Sequence, residues 1–165
     1  MKFNYLLFIL TVLSLLWAFS QSLRAEDFTG TVSTEISAPI TVTELDAMDF
    51  GLIAVDPAGD TIRLRTNGNL IITNGSVDLG GQQFGRFRLE GPPRASVSYT
   101  FSTGDVLTGP GADIPISNFE LNRNNPFRLN GQGRRNFRVG ATIFPSAGQL
   151  GGTYTGTYTI TINYE

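Results

Sequence analysis

The sequence predicts an all-β domain, an antiparallel sandwich or barrel of short strands, behind a segment that directs export. Three observations carry this. The last dozen residues put Tyr154, Tyr158, Ile160, Ile162 and Tyr164 on one parity and Thr153, Thr155, Thr157, Thr159 and Thr161 on the other. A strand turns successive side chains to opposite faces, so Thr153 to Tyr164 reads as one long strand with an apolar face and a threonine face. The rest of the chain repeats this period of two, with turn residues about every eight to twelve positions, the signal of a sandwich or barrel. No window sustains a helical period, so any helix is a short connector.

The elements follow in order. Ile36 to Leu45 is an opening strand around Ile40 and Val42, with Pro39 near its start, where a missing donor does least harm. Asp49 to Val55 is a second apolar stretch, closed by the turn residues Asp56 to Asp60. Thr61 to Thr66 alternates and stops at Asn67-Gly68, whose residues tolerate positive φ. Leu70 to Ile72 stops at Asn74-Gly75. Phe84 to Leu89 and Ala95 to Phe101 flank the break Gly91-Pro92-Pro93. Phe119 to Leu121, Phe127 to Leu129 and Phe137 to Phe144 follow, and Phe127 to Arg138 reads as an arginine-rich hairpin turning at Asn130-Gly131.

Lys2 followed by the apolar run Leu6 to Phe19 has the form of a signal peptide, too short for a comfortable transmembrane helix. Cleavage is expected near Ala25, and no later segment is apolar enough to cross a membrane as a helix. The expected organisation is a signal at 1–25, an extension at 26–37 and one domain at 38–165, about 140 mature residues and enough for a core. The mature chain has no cysteine to form a disulfide. Its ten arginines against fourteen carboxylates argue against a nucleic-acid partner or an anionic membrane surface.

What is missing prunes the chemistry. Without histidine or cysteine there is no imidazole base, thiolate nucleophile or ordinary zinc site. Lys2 is the only lysine, so a Ser-Lys dyad and a Schiff base are also excluded from the mature chain. Glu44, Asp46 and Asp49, or Asp56 and Asp60, offer oxygen ligands but lack EF-hand spacing. The expectation is a protein that is not an enzyme, with no catalytic residue, cofactor or metal.

Phe50-Gly51 after the opening strand, Phe87 to Gly91 before Val97 to Phe101, Val139 to Thr142, and Gly152 to Tyr164 together resemble the bacterial domain of unknown function 4402. The resemblance covers roughly Ala38 to Tyr164. That family is similar to spore-coat U-type and chaperone-usher pilin domains, which implies an immunoglobulin-like, pilin-like sandwich exported by a Gram-negative bacterium. It also implies neighbouring subunits and a periplasmic chaperone as partners. Pilins carry a penultimate tyrosine with a glycine about a dozen residues upstream, and Tyr164 and Gly152 stand in those places. Gly152, Tyr154, Tyr158, Ile160, Ile162 and Tyr164 are therefore the candidate assembly or chaperone strand.

Ahead of the domain, Phe28, Gly30, Val32, Thr34 and Ile36 alternate with polar residues. This is the pattern of a donor strand, which completes a neighbour's sheet through main-chain hydrogen bonds and fills its pockets with alternate side chains. The missing disulfide departs from many pilins. The expected function is an exported structural or adhesive protein of the periplasm, cell surface or secreted space, a pilus-like fibre subunit assembled by donor-strand exchange. A self-complemented binding domain that does not polymerise, with a glycan as ligand, is the alternative, and a small outer-membrane barrel competes on architecture.

Overall fold

A computed structural model describes Thr31, Ser33, Thr34 and residues 39–165 of the chain. Among the described residues it is all-β, with antiparallel pairing throughout and no helix. The spine is β11 (Arg134–Ile143), the longest strand. One of its edges is shared in succession by β6 (Gly85–Glu90), from Arg134 to Val139, and by β3 (Ile62–Leu64), from Ala141 to Ile143. The other edge takes β9 (Ile114–Leu121). The sheet is extended by β1 (Thr41–Asp46) on β6, β4 (Leu70–Ile72) on β3 and β8 (Val106–Leu107) on β9. A second sheet runs β10 (Phe127–Arg128), β7 (Ser96–Phe101), β12 (Ile160–Tyr164). A short ribbon joins β2 (Ile53–Ala54) to β5 (Val77–Asp78).

The period of two explains which faces are buried. In β11, Phe137, Val139 and Ala141 are fully buried, and in β6 Leu89 is, while Arg86 and Arg88 stay exposed. The two sheets meet over Leu89, Val97, Phe127, Leu129, Phe137 and Val139, and the Phe127 and Phe137 rings lie 6.3 Å apart. A second apolar cluster gathers Phe50, Ile62, Leu64, Ile114, Ile116, Ala141 and Ile143.

A bulge in β9 lets that strand serve both clusters. Ile114 and Ile116 are buried in one, whereas Phe119 and Leu121, of the opposite parity, pack against the other. The register slips opposite Gly140 and Thr142, and Asn118 between them takes φ of 52°. An extra residue turns the inward face by one position, and asparagine tolerates the left-handed backbone better than most residues. The same device in β1, between Glu44 and Asp46, turns Asp46 to the outer face, where it pairs with Arg86.

Two elements depart from the sequence reading. The C-terminal strand is shorter than Thr153 to Tyr164, because its partner β7 ends at Phe101 and turns away. From there the chain meets only isolated contacts: Thr159 N–H bonds the Ser102 hydroxyl at 2.9 Å, and Thr155 bridges Thr108. The alternation survives the interruption, with Tyr154, Tyr158, Ile160 and Ile162 half-buried and the threonines exposed. Phe127 to Arg138 is a crossing between sheets rather than a hairpin. Its first strand pairs β7 and its second pairs β6, because Phe127 and Phe137 are needed on facing sheets.

Candidate functional site

The feature that stands out is a groove of about 950 Å³ over the Ile62–Ile143 cluster. Its floor is aliphatic, made by Ile62, Ile114, Ile116 and Ile143, all buried. One wall is the segment 48–55 and the other is 149–158. Leu52 and Leu150 stand on opposite walls, 65% and 58% exposed, which leaves large apolar surface facing water.

Both walls are extended segments with backbone partners on one side. On the first, Asp49 bridges Gln83, Leu52 N–H bonds Gly80 at 2.9 Å and Ile53–Ala54 pair β5. Among the described residues no strand ladder occupies its other side. On the second wall, Thr155 exchanges backbone bonds with Thr108 (2.8 and 2.9 Å), and Ser102 N–H reaches the Thr159 carbonyl at 3.0 Å. The odd-numbered residues therefore bond toward β7 and β8. In an extended chain that turns the N–H groups of Tyr154, Gly156, Tyr158, Ile160 and Ile162 the opposite way. This is an edge that can accept one more strand.

Tyr154 ties the rim together. Its hydroxyl accepts from Gly111 N–H (3.0 Å) and Gln149 Nε2 (2.8 Å) and donates to the Leu150 carbonyl (2.8 Å). Gln149 also holds the Ala112 carbonyl at 2.7 Å. The 109–112 and 149–154 loops are thus fixed to each other.

Tyr158 closes the inner end. Its ring stacks on Phe119 at 4.9 Å and meets Phe87 edge-on at 6.4 Å. Its hydroxyl is buried without a hydrogen-bond partner, an unusual state for a native polar atom. Burial, with the Glu44 carboxylate second, pushes its phenol above the ordinary value. Gly85 makes room for it: a Cβ there would lie 2.9 Å from the hydroxyl oxygen.

Near the Ile143 end of β11, where its N–H bonds the Pro145 carbonyl, Asp60 is buried and serves as a turn anchor. It accepts from the backbone N–H groups of Thr61 (2.7 Å), Asn74 (2.8 Å) and Ser76 (3.0 Å). Burial works to raise its pKa, but the bonds from the Ser76 hydroxyl and these N–H groups prevail and hold it at about 2. The sequence reading missed this role, although a carboxylate between two turn-rich segments was its one signal. Asp56 and Asp49 are spent on nearby backbone N–H groups, those of Ala58 and Gly51. Among the described residues no three His, Cys, Asp or Glu side chains gather as a metal site.

The candidate assembly strand is brought together in part. Tyr154, Tyr158 and Gly152 line the groove, while Ile160 and Ile162 pack on the second cluster. Tyr164 sits opposite Val97 and is 40% exposed. Of the candidate donor strand, Thr34 is exposed and in no strand, and Phe28, Gly30, Val32 and Ile36 lie outside the described residues, as does the signal segment 1–25. No helix among the described residues is long and apolar enough to cross a membrane.

No curated protein and no solved structure matches the chain. A family model does match, over residues 40–164, a span that begins at Ile40 just before β1 and ends at the last residue of β12. The chain belongs to the family described as Domain of unknown function (DUF4402).

Proposed function

We propose that this is an exported structural component of the bacterial surface, an immunoglobulin-like sandwich left one strand short and completed by residues 27–36 of a neighbouring copy. The observation that carries the reading is the pairing of two unladdered edges across one aliphatic groove. An inserted strand would satisfy the outward N–H groups from Tyr154 to Ile162 and cover Leu52 and Leu150. The alternation of Phe28, Gly30, Val32, Thr34 and Ile36 suits such a strand, because every second side chain enters the groove. A contact of one surface with a different surface of the next copy propagates a fibre when its rotation does not close into a ring.

The role is non-catalytic, in keeping with a chain that has no histidine or cysteine and a single lysine at position 2. The signal pattern at 1–25 and the likeness of the family to pilins support export by a Gram-negative bacterium. A periplasmic chaperone would hold the groove before assembly by gripping the strand that ends at Tyr164.

The test compares the mature chain with a variant lacking residues 26–37. The mature chain should form oligomers that resist dilution, and the variant should stay monomeric and bind a synthetic 27–38 peptide. A mature chain that remains monomeric at high concentration, with residues 27–36 protected from protease, would instead establish self-complementation.

A further inference from the structure

The outer face of β6 and β11 carries a concentration of positive charge that the fold does not require. Alternation leaves Arg86, Arg88, Asn136 and Arg138 exposed on that face. The register sets Arg86 directly opposite Arg138 and Arg88 opposite Asn136. Like charges directly opposite one another across antiparallel strands are destabilising. Asp46 pairs with Arg86, but Arg88 has no side-chain partner among the described residues. Arg138 rests over the Phe84 ring, 4.6 Å from its centroid, and Arg123 reaches the Asn136 carbonyl at 3.2 Å from the far side of β11. Arg86, Arg88, Arg134 and Arg138 share this face with two carboxylates, Asp46 and Glu90, which pair with Arg86 and Arg134 and leave Arg88 and Arg138 without one, in a chain whose formal net charge is −2.

We propose that this patch binds an acidic polysaccharide through its sugar carboxylates, independently of strand exchange in the groove. Guanidinium presents paired N–H donors that match a carboxylate, and its planar fork keeps that match when the surface is flat. The exposed Asn136 amide, between Arg88 and Arg123, offers a donor and an acceptor to a sugar hydroxyl. Single-stranded nucleic acid would need an aromatic face on which to stack, and the Phe84 ring is covered by Arg138. A membrane surface would need apolar side chains to insert, and Leu52, Val77, Leu79 and Leu150 belong to the groove walls and the β2–β5 ribbon instead.

The experiment titrates the folded mature chain with polygalacturonate, using neutral dextran, DNA and anionic vesicles as comparisons. Polygalacturonate should bind, more weakly as salt rises, and dextran should not. The double variant Arg88→Gln/Arg138→Gln should lose at least about tenfold in affinity while melting as the parent does, since neither side chain has a carboxylate partner. Arg123→Gln should lose less, and Arg94→Gln, exposed but off the patch, should bind unchanged. Absence of polygalacturonate binding, undiminished binding by the double variant, or tighter binding to DNA or vesicles would overturn the assignment.

Discussion

The Tyr158 ring stacks on Phe119 with centroids 4.9 Å apart, and this contact joins the segment leading into β12 to the bulged strand β9 of the other sheet. It also strands the Tyr158 hydroxyl in a space lined by Gly85, Phe87 and Met48. Tyr158→Phe keeps the stacking and removes an unpaired buried hydroxyl. Because an unsatisfied polar group carries a desolvation penalty of about 1–3 kcal/mol, the variant should be at least as stable as the parent in urea denaturation. A loss greater than about 1 kcal/mol would mean that the hydroxyl has a partner in solution.

Asp60 provides a pH test. Its folded pKa, about 2, lies below the ordinary aspartate value of 3.8, so the unfolded chain binds the proton more readily. Its contribution to stability is therefore complete above about pH 4 and is lost as pH falls from there toward 2. Asp60→Ala should lower stability at pH 7 by about 1–3 kcal/mol or more, because the Thr61, Asn74 and Ser76 N–H groups are left without their acceptor. It should also flatten the acid limb of the melting curve. An unchanged acid limb would remove Asp60 from this role.

Gly140 marks the point where β11 passes from β6 to β3. A Cβ at this position would lie 2.3 Å from the Leu64 carbonyl oxygen, a backbone atom that cannot rotate away. Gly140→Ala should cost at least about 1–3 kcal/mol by overpacking. Gly131, with nothing within 4 Å of its ideal Cβ, should accept alanine with little change. Equal melting temperatures for the two variants would contradict the shared-edge arrangement.

The C-terminal alternation can be tested with two adjacent substitutions. Ile160 is half-buried against the second cluster, and Thr161 is exposed opposite Thr100. Ile160→Asp should prevent soluble protein from accumulating, since an unpaired carboxylate would enter an apolar layer. Thr161→Asp should stay within about 0.5 kcal/mol of the parent. Equal tolerance of the two would remove the evidence for a half-buried strand.

Much of this fold was legible because the strands are short and their alternation is strict. Phe84 to Leu89 and Ala95 to Phe101 are recovered within a residue as β6 and β7, and Gly68, with φ of 90°, turns β3 into β4 as its Asn-Gly pair implies. What failed depended on partners. Nothing in Thr153 to Thr159 reveals that β7 turns away at Phe101, and nothing in Phe127 to Arg138 tells that its two halves join different sheets. The β9 bulge hid Ile114 and Ile116, because the parity of the apolar residues changes at Asn118. The tyrosines and Gly152 were singled out from the sequence, but the facing wall at 48–55 and the aliphatic floor come together only through long-range pairing.

The central claim is that the edge from Tyr154 to Ile162 awaits a strand. Amide hydrogen exchange on the mature chain and on a variant lacking residues 26–37 tests it most directly. In the truncated monomer, the N–H groups of Tyr154, Gly156, Tyr158, Ile160 and Ile162 should exchange like loop amides, while those of Thr155 and Thr159, which have partners, stay protected. In the assembled mature chain the even-numbered set should slow by about a hundredfold or more. Protection of that set in the truncated monomer, or its continued fast exchange in the assembled chain, would contradict the account.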